Sequence, residues 1–492
     1  MSLRKGDSLY KEETTAANVV IMSVSKYQNT SILVLTRNSA TNEVILWRVD
    51  SGGATNIYAV VLAWAPTTYS NSAFGQYVYF FSSDGTNEHS IKYDGTTVSL
   101  SGYSAATGSA ATFVILGAGV AYKNRHYLPR RASTGYWYSQ ISAVTGTCKY
   151  VDLASILSTV GYITNIATFT LSDQVSAEQI IAFITNNGEV LFYTGDSPES
   201  ANWTVAGSAI IGRPYALDSG CAYQGDYILA TEQGIVSLRD LFLKGSGSGT
   251  LQTLNSNVTN SWQKSVEDYG VGTGGVVDCL FDPLGNRLLF NFPVPYGRPP
   301  PGGDSEGHTF YVFGTDTLAW SLHTRRYVKS PTLCRKSVIW NNAVYYITYR
   351  EDTNGVQQSG FKILKKEGAD IFGDITSGIL TDPIGVNFQY ISAPVSNGRL
   401  YVQKCGGMDV IMQSDINDSV FYQLYADFGA QTTNSQAIPA TAFELRKTWV
   451  NIGIEGSFIQ YRMVGTAPTG AGLFGLYLYG FNFWTEQGRS PR

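Results

Sequence analysis

Two neighbouring segments indicate the fold: Ile180-Ile-Ala-Phe-Ile-Thr-Asn-Asn-Gly-Glu-Val-Leu-Phe-Tyr193 and its near-repeat, Cys221-Ala-Tyr-Gln-Gly-Asp-Tyr-Ile-Leu-Ala-Thr-Glu-Gln-Gly-Ile-Val-Ser-Leu238. In both, short apolar and β-branched runs alternate with tight corners that contain Asn or Gly. Such corners predict β-hairpins, because the turn between two strands needs positive φ angles. A recurring hairpin cannot bury its apolar face alone, so each copy is expected to stack on its neighbour.

Comparable hairpins recur along the chain, with successive units starting roughly 40 to 60 residues apart, which is the repeat length of propeller blades. From about residue 376 the runs look longer, as in Val420–Tyr425 and Leu476–Trp484. We therefore predict an all-β protein: an irregular β-propeller of six or seven blades over residues 1–375, followed by a C-terminal antiparallel β-domain over residues 376–492. One large β-sandwich, or two stacked ones, is the alternative.

Composition agrees with this class and excludes others. The 492 residues include 51 Gly and 32 Tyr, and 15% are charged, against roughly 25% in an ordinary soluble domain. A net charge of −4 gives no general attraction to nucleic acid or to anionic membranes. No stretch approaches a membrane-spanning length of apolar residues, and the start lacks the apolar core of a signal peptide.

The five cysteines are far apart in the sequence and form no CxxC pair. Most lie in apolar strand patterns, so we expect buried thiols of a protein assembled in a reducing cytoplasm rather than a disulfide framework.

The sequence offers little chemistry. The four histidines are scattered without metal-ligand spacing, and no nucleophile elbow, zinc-protease or phosphate-binding motif is present. The loop Thr194–Trp203 resembles the Asp-box of sialidase-type propellers, where an Asp corner and a Trp fix a hairpin turn. We interpret it as a structural loop. We therefore predict no catalytic, cofactor-binding or metal-binding residues, no cofactor, and no enzymatic activity.

Other features of the sequence indicate loops, a short helix and charged strand edges. The Pro-rich run Pro293–Gly303 and the Gly/Ser run Gly245–Gly249 are candidate contact or gating elements, or mobile surface loops. Leu254, Val258 and Trp262 have the spacing of one helix face. The basic clusters are interpreted as charged strand edges that discourage pairing with other chains; they are Arg125/Arg130/Arg131, Arg325/Arg326/Lys329 and Lys362/Lys365/Lys366.

Several segments resemble tail proteins of short-tailed bacteriophages and their prophages. The segments are Gly188–Trp203, Ile211–Pro214, Tyr223–Leu238, Phe281–Phe290, Thr317–Ser321 and Trp340–Tyr346, and two closing segments, Trp449–Gly456 and Leu476–Phe481, that are similar to the ends of tail hub and nozzle proteins. Together they cover pieces of the last three-fifths of the chain. The resemblance rests on hairpin texture rather than on catalytic residues.

This resemblance implies a structural role. Proteins of this kind form a ring, commonly of six copies, below the portal and adaptor rings of the virion tail. They extend and close the DNA channel and provide attachment for tail fibres, spikes or a needle. The implied partners are thus other copies of the chain, adaptor and portal proteins, and fibre, spike or needle proteins. Packaged DNA passes without sequence-specific binding, and assembly takes place in the host cytoplasm.

Two other functions stay open. One is a receptor-binding or glycan-binding tail propeller, possibly glycan-cleaving. The other is a bacterial scaffold of the WD or kelch type, which predicts regular blade motifs that the sequence lacks.

Overall fold

The computed structural model describes the following residues of the chain: 8–15, 18–107, 111–115, 117–172, 177–214, 219–244, 254, 262–263, 278–292, 306–316, 319–326, 334–351, 357–365, 373–374, 384–385, 387–391, 403–413, 419–426, 431–432, 436–438, 446–456, 459–466 and 477–487. The chain divides into two compact units. The larger comprises Tyr10–Leu322 and Tyr327–Leu364, and most of the smaller is the region from Lys365 onward.

The larger unit is a seven-bladed β-propeller, which confirms the predicted class and fixes the number of blades. Six blades follow one another along the chain, and each is a small sheet. The innermost strand of a blade is the one through which it contacts the neighbouring blades, and it is given first for each blade below. Blade 1 consists of Val19–Tyr27, Ser31–Asn38, Glu43–Asp50 and Gly53–Val61; blade 2 of Thr68–Phe74, Tyr77–Ser83, Glu88–Tyr93 and Val98–Leu100; blade 3 of Val120–Tyr122, Arg125–Pro129, Gly135–Tyr138 and Gly146–Asp152, with Tyr103–Ala105 added in parallel. Blade 4 consists of Ile163–Ser172, Ala177–Thr185, Glu189–Thr194 and Thr204–Ile210; blade 5 of Gly220–Tyr223, Asp226–Thr231 and Gly234–Ser237; blade 6 of Asp278–Asp282, Arg287–Phe292, Glu306–Gly314 and Ala319–Arg326.

Blade 7 closes the ring with a strand from the other end of the chain. Its strands are Cys334–Trp340, Ala343–Glu351, Gln357–Lys365 and, outermost, Ser8–Glu13. Tyr10 of that outermost strand packs against Trp340 and Tyr345, with ring centroids 5.5 and 5.1 Å apart. Because the first and last strands of the propeller share one sheet, the circle of blades is fastened by hydrogen bonds and aromatic packing.

The hairpin corners adopt the backbone conformation that the sequence predicts. Three of them carry two consecutive residues with positive φ, which produces the tight turn whose twist matches the flanking strands. The φ angles are 46° and 58° at Lys123 and Asn124, 46° and 78° at Gln224 and Gly225, and 46° and 58° at Asn341 and Asn342.

The core lies between neighbouring blades, and blade 3 shows how one strand serves two interfaces. Tyr136 and Trp137 are adjacent and both fully buried. Successive side chains of a strand point to opposite faces, so Trp137 packs in the cluster shared with blade 2 and Tyr136 in the cluster shared with blade 4. The Tyr136 ring lies 4.3 Å from that of Phe183. A strand rich in tyrosine, whose side chains carry hydroxyl groups, is thus buried on both faces.

The structure corrects the assignment of Leu238 to a strand. The strand ends at Ser237, and a helix spans Leu238–Lys244. The Asp240 amide donates to the Ser237 hydroxyl at 3.0 Å, which caps the helix, and Leu238 and Leu241 are buried. The helix that the spacing of Leu254, Val258 and Trp262 predicts lies outside the described residues, apart from Leu254 and Trp262. No helix among the described residues is long and apolar enough to span a membrane.

The smaller unit contains antiparallel sheets, as the sequence predicts. One sheet has three long strands, Arg446–Gly456, Gln403–Gln413 and Tyr477–Gln487, with the second in the middle. Another contains Asn387–Ile391, Ile459–Thr466 and Ser419–Ala426, to which the short strands Gln431–Thr432 and Gln436–Ile438 add, and Gly373–Asp374 pairs with Ile384–Gly385.

Candidate functional site: the ring of innermost strands

The innermost strands of the seven blades surround the propeller axis, the usual location of a ligand or catalytic site in this fold. Within the described residues these strands contain two acidic side chains, Asp278 and Asp282, both in blade 6 and both buried. A glycosidase of the common two-carboxylate type needs a pair of carboxyl groups free to flank the scissile bond. The hydrogen-bond partners of these two aspartates therefore decide whether the innermost strands can supply such a pair.

Both aspartates are engaged in holding the protein together. Asp278 accepts hydrogen bonds from the backbone amide of Ser337, at 2.6 Å, and from the Ser337 hydroxyl, and so joins blade 6 to blade 7. Asp282 accepts from Arg287 at 2.8 Å and from the Leu284 amide in the following corner. The carboxylates of the described innermost strands are thus committed to an inter-blade bond and to a hairpin turn.

A serine–histidine pair lies at the interface of blades 2 and 3. The Ser72 hydroxyl is 2.8 Å from Nε2 of His126, and the Tyr103 hydroxyl is 3.3 Å from Nδ1. This spacing is that of a nucleophile and its base, and nothing in the sequence indicates it, because the two residues are 54 positions apart.

The surroundings of the pair favour a structural role. His126 is 0% exposed, and Phe74 stacks on its ring at 5.0 Å. Burial lowers the pKa of His126 to about 3, so the imidazole stays neutral and exchanges hydrogen bonds with one partner on each side. The orienting group is a tyrosine rather than a carboxylate, and Ser72 is itself buried. The arrangement satisfies buried polar atoms and connects two blades.

We expect Ser72→Ala to lower the free energy of unfolding by about 1 to 2 kcal/mol, because it leaves a buried imidazole nitrogen without its partner. Urea denaturation followed by tyrosine and tryptophan fluorescence measures the loss. The matched control is Ser99→Ala on the exposed outer strand of blade 2, which should change stability by less than about 0.5 kcal/mol. Equal stability of the two variants would contradict the structural role.

Polar contacts recur at the other blade interfaces. The donors and acceptors come from neighbouring blades, so each contact fixes the position of one sheet against the next. They are Asn71 to Ser23 between blades 1 and 2, Tyr122 to Gly195 between blades 3 and 4, Thr170 to Gly225 between blades 4 and 5, and Lys11 to Ser51 between blades 7 and 1. At the interface of blades 5 and 6, the corresponding contact is between the thiols of Cys221 and Cys279.

A buried carboxyl group lies beside blade 3. Glu88 of blade 2 accepts hydrogen bonds from Ser90 at 2.5 Å and from the Ile115 amide at 3.1 Å. Burial raises the pKa of Glu88 to about 8, although those two hydrogen bonds and the nearby Arg131 oppose the shift. The residue retains part of its surface, while its carboxyl group is enclosed. A perturbed carboxyl group is a candidate acid or base, but the described residues place no second carboxylate against it.

The loop Thr194–Trp203 has the structural character that the sequence predicts. The Asn202 side chain donates to the Asp196 carboxylate at 2.8 Å, which closes the loop on itself. The Trp203 ring stacks on Tyr193, with centroids 5.1 Å apart and planes inclined by 23°. The loop is pinned to the blade by its tryptophan, and Asp196 is occupied in the turn.

The basic cluster of blade 3 is likewise engaged. Arg125 donates to the Ser139 carbonyl at 3.0 Å, Arg130 lies over the Tyr150 ring, and Arg131 donates to Thr68 and to the Ser83 carbonyl. The runs Pro293–Gly303 and Gly245–Gly249 lie outside the described residues. Within the described part of the chain, no group of three or more His, Cys, Asp or Glu residues is placed to hold a metal ion.

No protein-family model matches the sequence, and no curated protein matches it. The solved structures that match the chain include YCF48 bound to a D1 peptide, which is 10% identical, with 74% of this chain and 97% of that chain covered and a TM-score of 0.38. An exo-β-1,3-galactanase from Phanerochaete chrysosporium with galactose is 7% identical, with 85% and 99% covered and a TM-score of 0.28. At such low identities and scores, neither likeness bears on what this chain does.

Proposed function

We propose that the protein is a structural subunit of the tail of a short-tailed bacteriophage, a nozzle or hub protein that forms a ring below the portal and adaptor. In this role it extends and closes the DNA channel and carries fibres, spikes or a needle, without enzymatic activity. The observation that carries the proposal is that the two buried carboxylates of the innermost strands and the Ser72–His126 pair are engaged in contacts that hold the propeller together. Asp278, Asp282 and the Ser72–His126 pair all serve blade-to-blade or turn contacts.

The composition of the chain is compatible with assembly with other copies. The chain is 15% charged and 13% aromatic, which suits broad interfaces whose centres are poor in charge. Head-to-tail contacts between identical subunits close into a ring when the rotation per subunit divides a full circle. The slightly acidic net charge of −4 is suited to a channel that lets DNA pass without gripping its phosphates.

One loop between blades 3 and 4 is a candidate contact surface for this assembly. Val160 is 94% exposed. The loop is nevertheless held firmly, because the Glu189 carboxylate accepts hydrogen bonds from the backbone amides of Ser158 and Thr159 at 2.8 and 2.7 Å. Hydrogen bonds from both of their hydroxyls reinforce this anchor. A rigid loop that presents an apolar side chain loses little conformational entropy on binding.

Sedimentation velocity at rising concentration tests the proposal. We expect the purified chain to assemble into one closed species of defined size, six copies in the arrangement that the resemblance implies. A chain that stays monomeric up to roughly 100 µM, well above an ordinary micromolar affinity, would contradict the ring. If the monomer instead binds host surface polysaccharide, the receptor-binding alternative replaces it.

A variant locates the contact. Val160→Asp should weaken assembly if the loop lies at the subunit interface, because it places an unpaired charge there. The matched control is Ser99→Asp on an exposed outer strand. Rings that form equally well with both variants would leave the ring proposal standing and remove this loop from the interface.

A further inference from the structure

Two cysteines from neighbouring blades lie almost at bonding distance. Cys221 is on the innermost strand of blade 5 and Cys279 on the innermost strand of blade 6, 58 positions later, and their Sγ atoms are 2.9 Å apart. Both thiols are free. A disulfide bond measures about 2.04 Å, so a movement of about 0.9 Å would bring the two sulfur atoms to bonding distance.

The strands that carry the thiols are held in matching positions. Two residues further along each strand, Tyr223 and Phe281 pack edge to face with ring centroids 4.8 Å apart. Residues i and i+2 of a strand share a face, so the thiol pair and the aromatic pair lie on the same facing surfaces. The aromatic contact therefore fixes the register that brings the two sulfur atoms together.

The two thiols differ in access. Cys279 is buried in the cluster between blades 5 and 6, whereas Cys221 is only partly buried. Burial and the neighbouring Cys221 raise the pKa of the Cys279 thiol well above its ordinary value, which keeps it protonated and unreactive toward outside reagents. Cys221 is thus the thiol that a small oxidant reaches first.

We propose that Cys221 and Cys279 form a disulfide bond between blades 5 and 6 when the folded protein meets a low-molecular-weight disulfide such as oxidised glutathione. The Cys221 thiol loses its proton and attacks one sulfur of the reagent, whose S–S bond breaks, and the first glutathione leaves as a thiolate that takes up this proton. Cys279 then attacks Sγ of Cys221 in the mixed disulfide and passes its own proton to the departing sulfur, so that the second glutathione also leaves as a thiol. Two protein thiols are oxidised, and one glutathione disulfide is reduced to two thiols.

The bond would fasten two blades through their innermost strands. It would also enclose the chain from residue 222 to residue 278, which contains two strands of blade 5 and the helix Leu238–Lys244. Closing a loop of this length restricts the unfolded chain. For a propeller of this size the expected rise in Tm is about 5 °C.

Thiol counting and peptide mapping test the inference on the full-length protein. After incubation of the folded chain with oxidised glutathione and then denaturation, we expect three free thiols in place of the five in the sequence. Mass spectrometry should identify one cross-linked peptide pair that contains Cys221 and Cys279. Tm should rise by about 5 °C and return to its starting value after reduction with dithiothreitol.

Variants complete the test. Cys148→Ala, which removes a buried thiol of blade 3, should still lose two thiols, whereas Cys221→Ser should form no internal bond. Five remaining thiols, a link between other cysteines, or glutathione that stays on Cys221 without transfer to Cys279 would each overturn the proposal. None of these outcomes bears on ring assembly, which sedimentation tests separately. Because reduction of the oxidised wild type is also measured, the test remains decisive even if Cys221→Ser folds poorly.

Discussion

The Gly360→Ala variant should lose at least about 3 kcal/mol of unfolding free energy, because the added methyl group strikes the strand that closes the propeller. Gly360 lies on the strand Gln357–Lys365 with φ +90°, and a Cβ atom there would overlap the backbone carbonyl of Glu13. The positive φ alone costs a side chain about 1 kcal/mol. The remaining loss comes from displacing the strand Ser8–Glu13, with its hydrogen bonds and the packing of Tyr10.

Denaturation in urea, followed by far-ultraviolet circular dichroism, measures this loss. The matched control is Gly146→Ala, since Gly146 has a φ of +103° but no atom within 4 Å of the added Cβ. That variant should lose only the backbone contribution of about 1 kcal/mol. Similar losses in the two variants would show that closure by the N-terminal strand contributes little to the stability of the propeller.

The contribution of Glu88 to stability should fall as pH rises from about 4.5 to about 8, because Glu88 is a buried acid. The unfolded chain releases the Glu88 proton near the ordinary value of 4.5, whereas burial holds the folded pKa at about 8. Within this window the folded state binds the extra proton, so each pH unit removes at most about 1.4 kcal/mol. Because the residue retains some exposed surface, we expect a total of roughly 2 to 3 kcal/mol.

Glu88→Gln isolates this contribution. The amide keeps the shape of the protonated acid and cannot ionise, so the variant should be more stable than the wild type at pH 8 and lack its share of the pH dependence. Urea midpoints at pH 5 and pH 8 provide the measurement. Glu178→Gln, at an exposed position of blade 4, is the control and should retain the slope. A Glu88→Gln variant with the wild-type slope would show that Glu88 ionises normally in the folded protein.

The blades could be predicted because their signals are local. Corners such as Gln224-Gly225 and Asn341-Asn342 adopt two positive φ angles in succession, and the strands between them alternate in burial or are buried throughout. The number of blades could not be fixed, because the last sheet takes its outermost strand from Ser8–Glu13. A strand of blade 3, Tyr103–Ala105, is likewise added out of order and in parallel.

The sequence pattern predicts a strand up to Leu238 and no helix after it, although a signal for the helix Leu238–Lys244 exists. Ser237 is followed three residues later by Asp240, a spacing typical of a helix start, and Leu238 and Leu241 share the buried face. The apolar and β-branched residues immediately before Leu238 favour a strand, and this stronger pattern was extended to include Leu238.

The contacts between neighbouring blades could not be predicted. Ser72 and His126, like Cys221 and Cys279, are brought together by the stacking of blades and not by any sequence spacing. The raised pKa of Glu88 depends on enclosure beside Ile115, which follows from the fold alone. The prediction of a phage tail ring depends on the resemblance of segments such as Gly188–Trp203, and it remains a proposal.

Electron cryomicroscopy of the purified chain is the sharpest test of the proposed ring, because it resolves the blades and the assembly together. We expect closed rings of identical subunits around a central channel, with each subunit a seven-bladed propeller whose last blade contains the N-terminal strand. Single unassembled copies at every concentration, or a subunit with a different number of blades, would refute this arrangement.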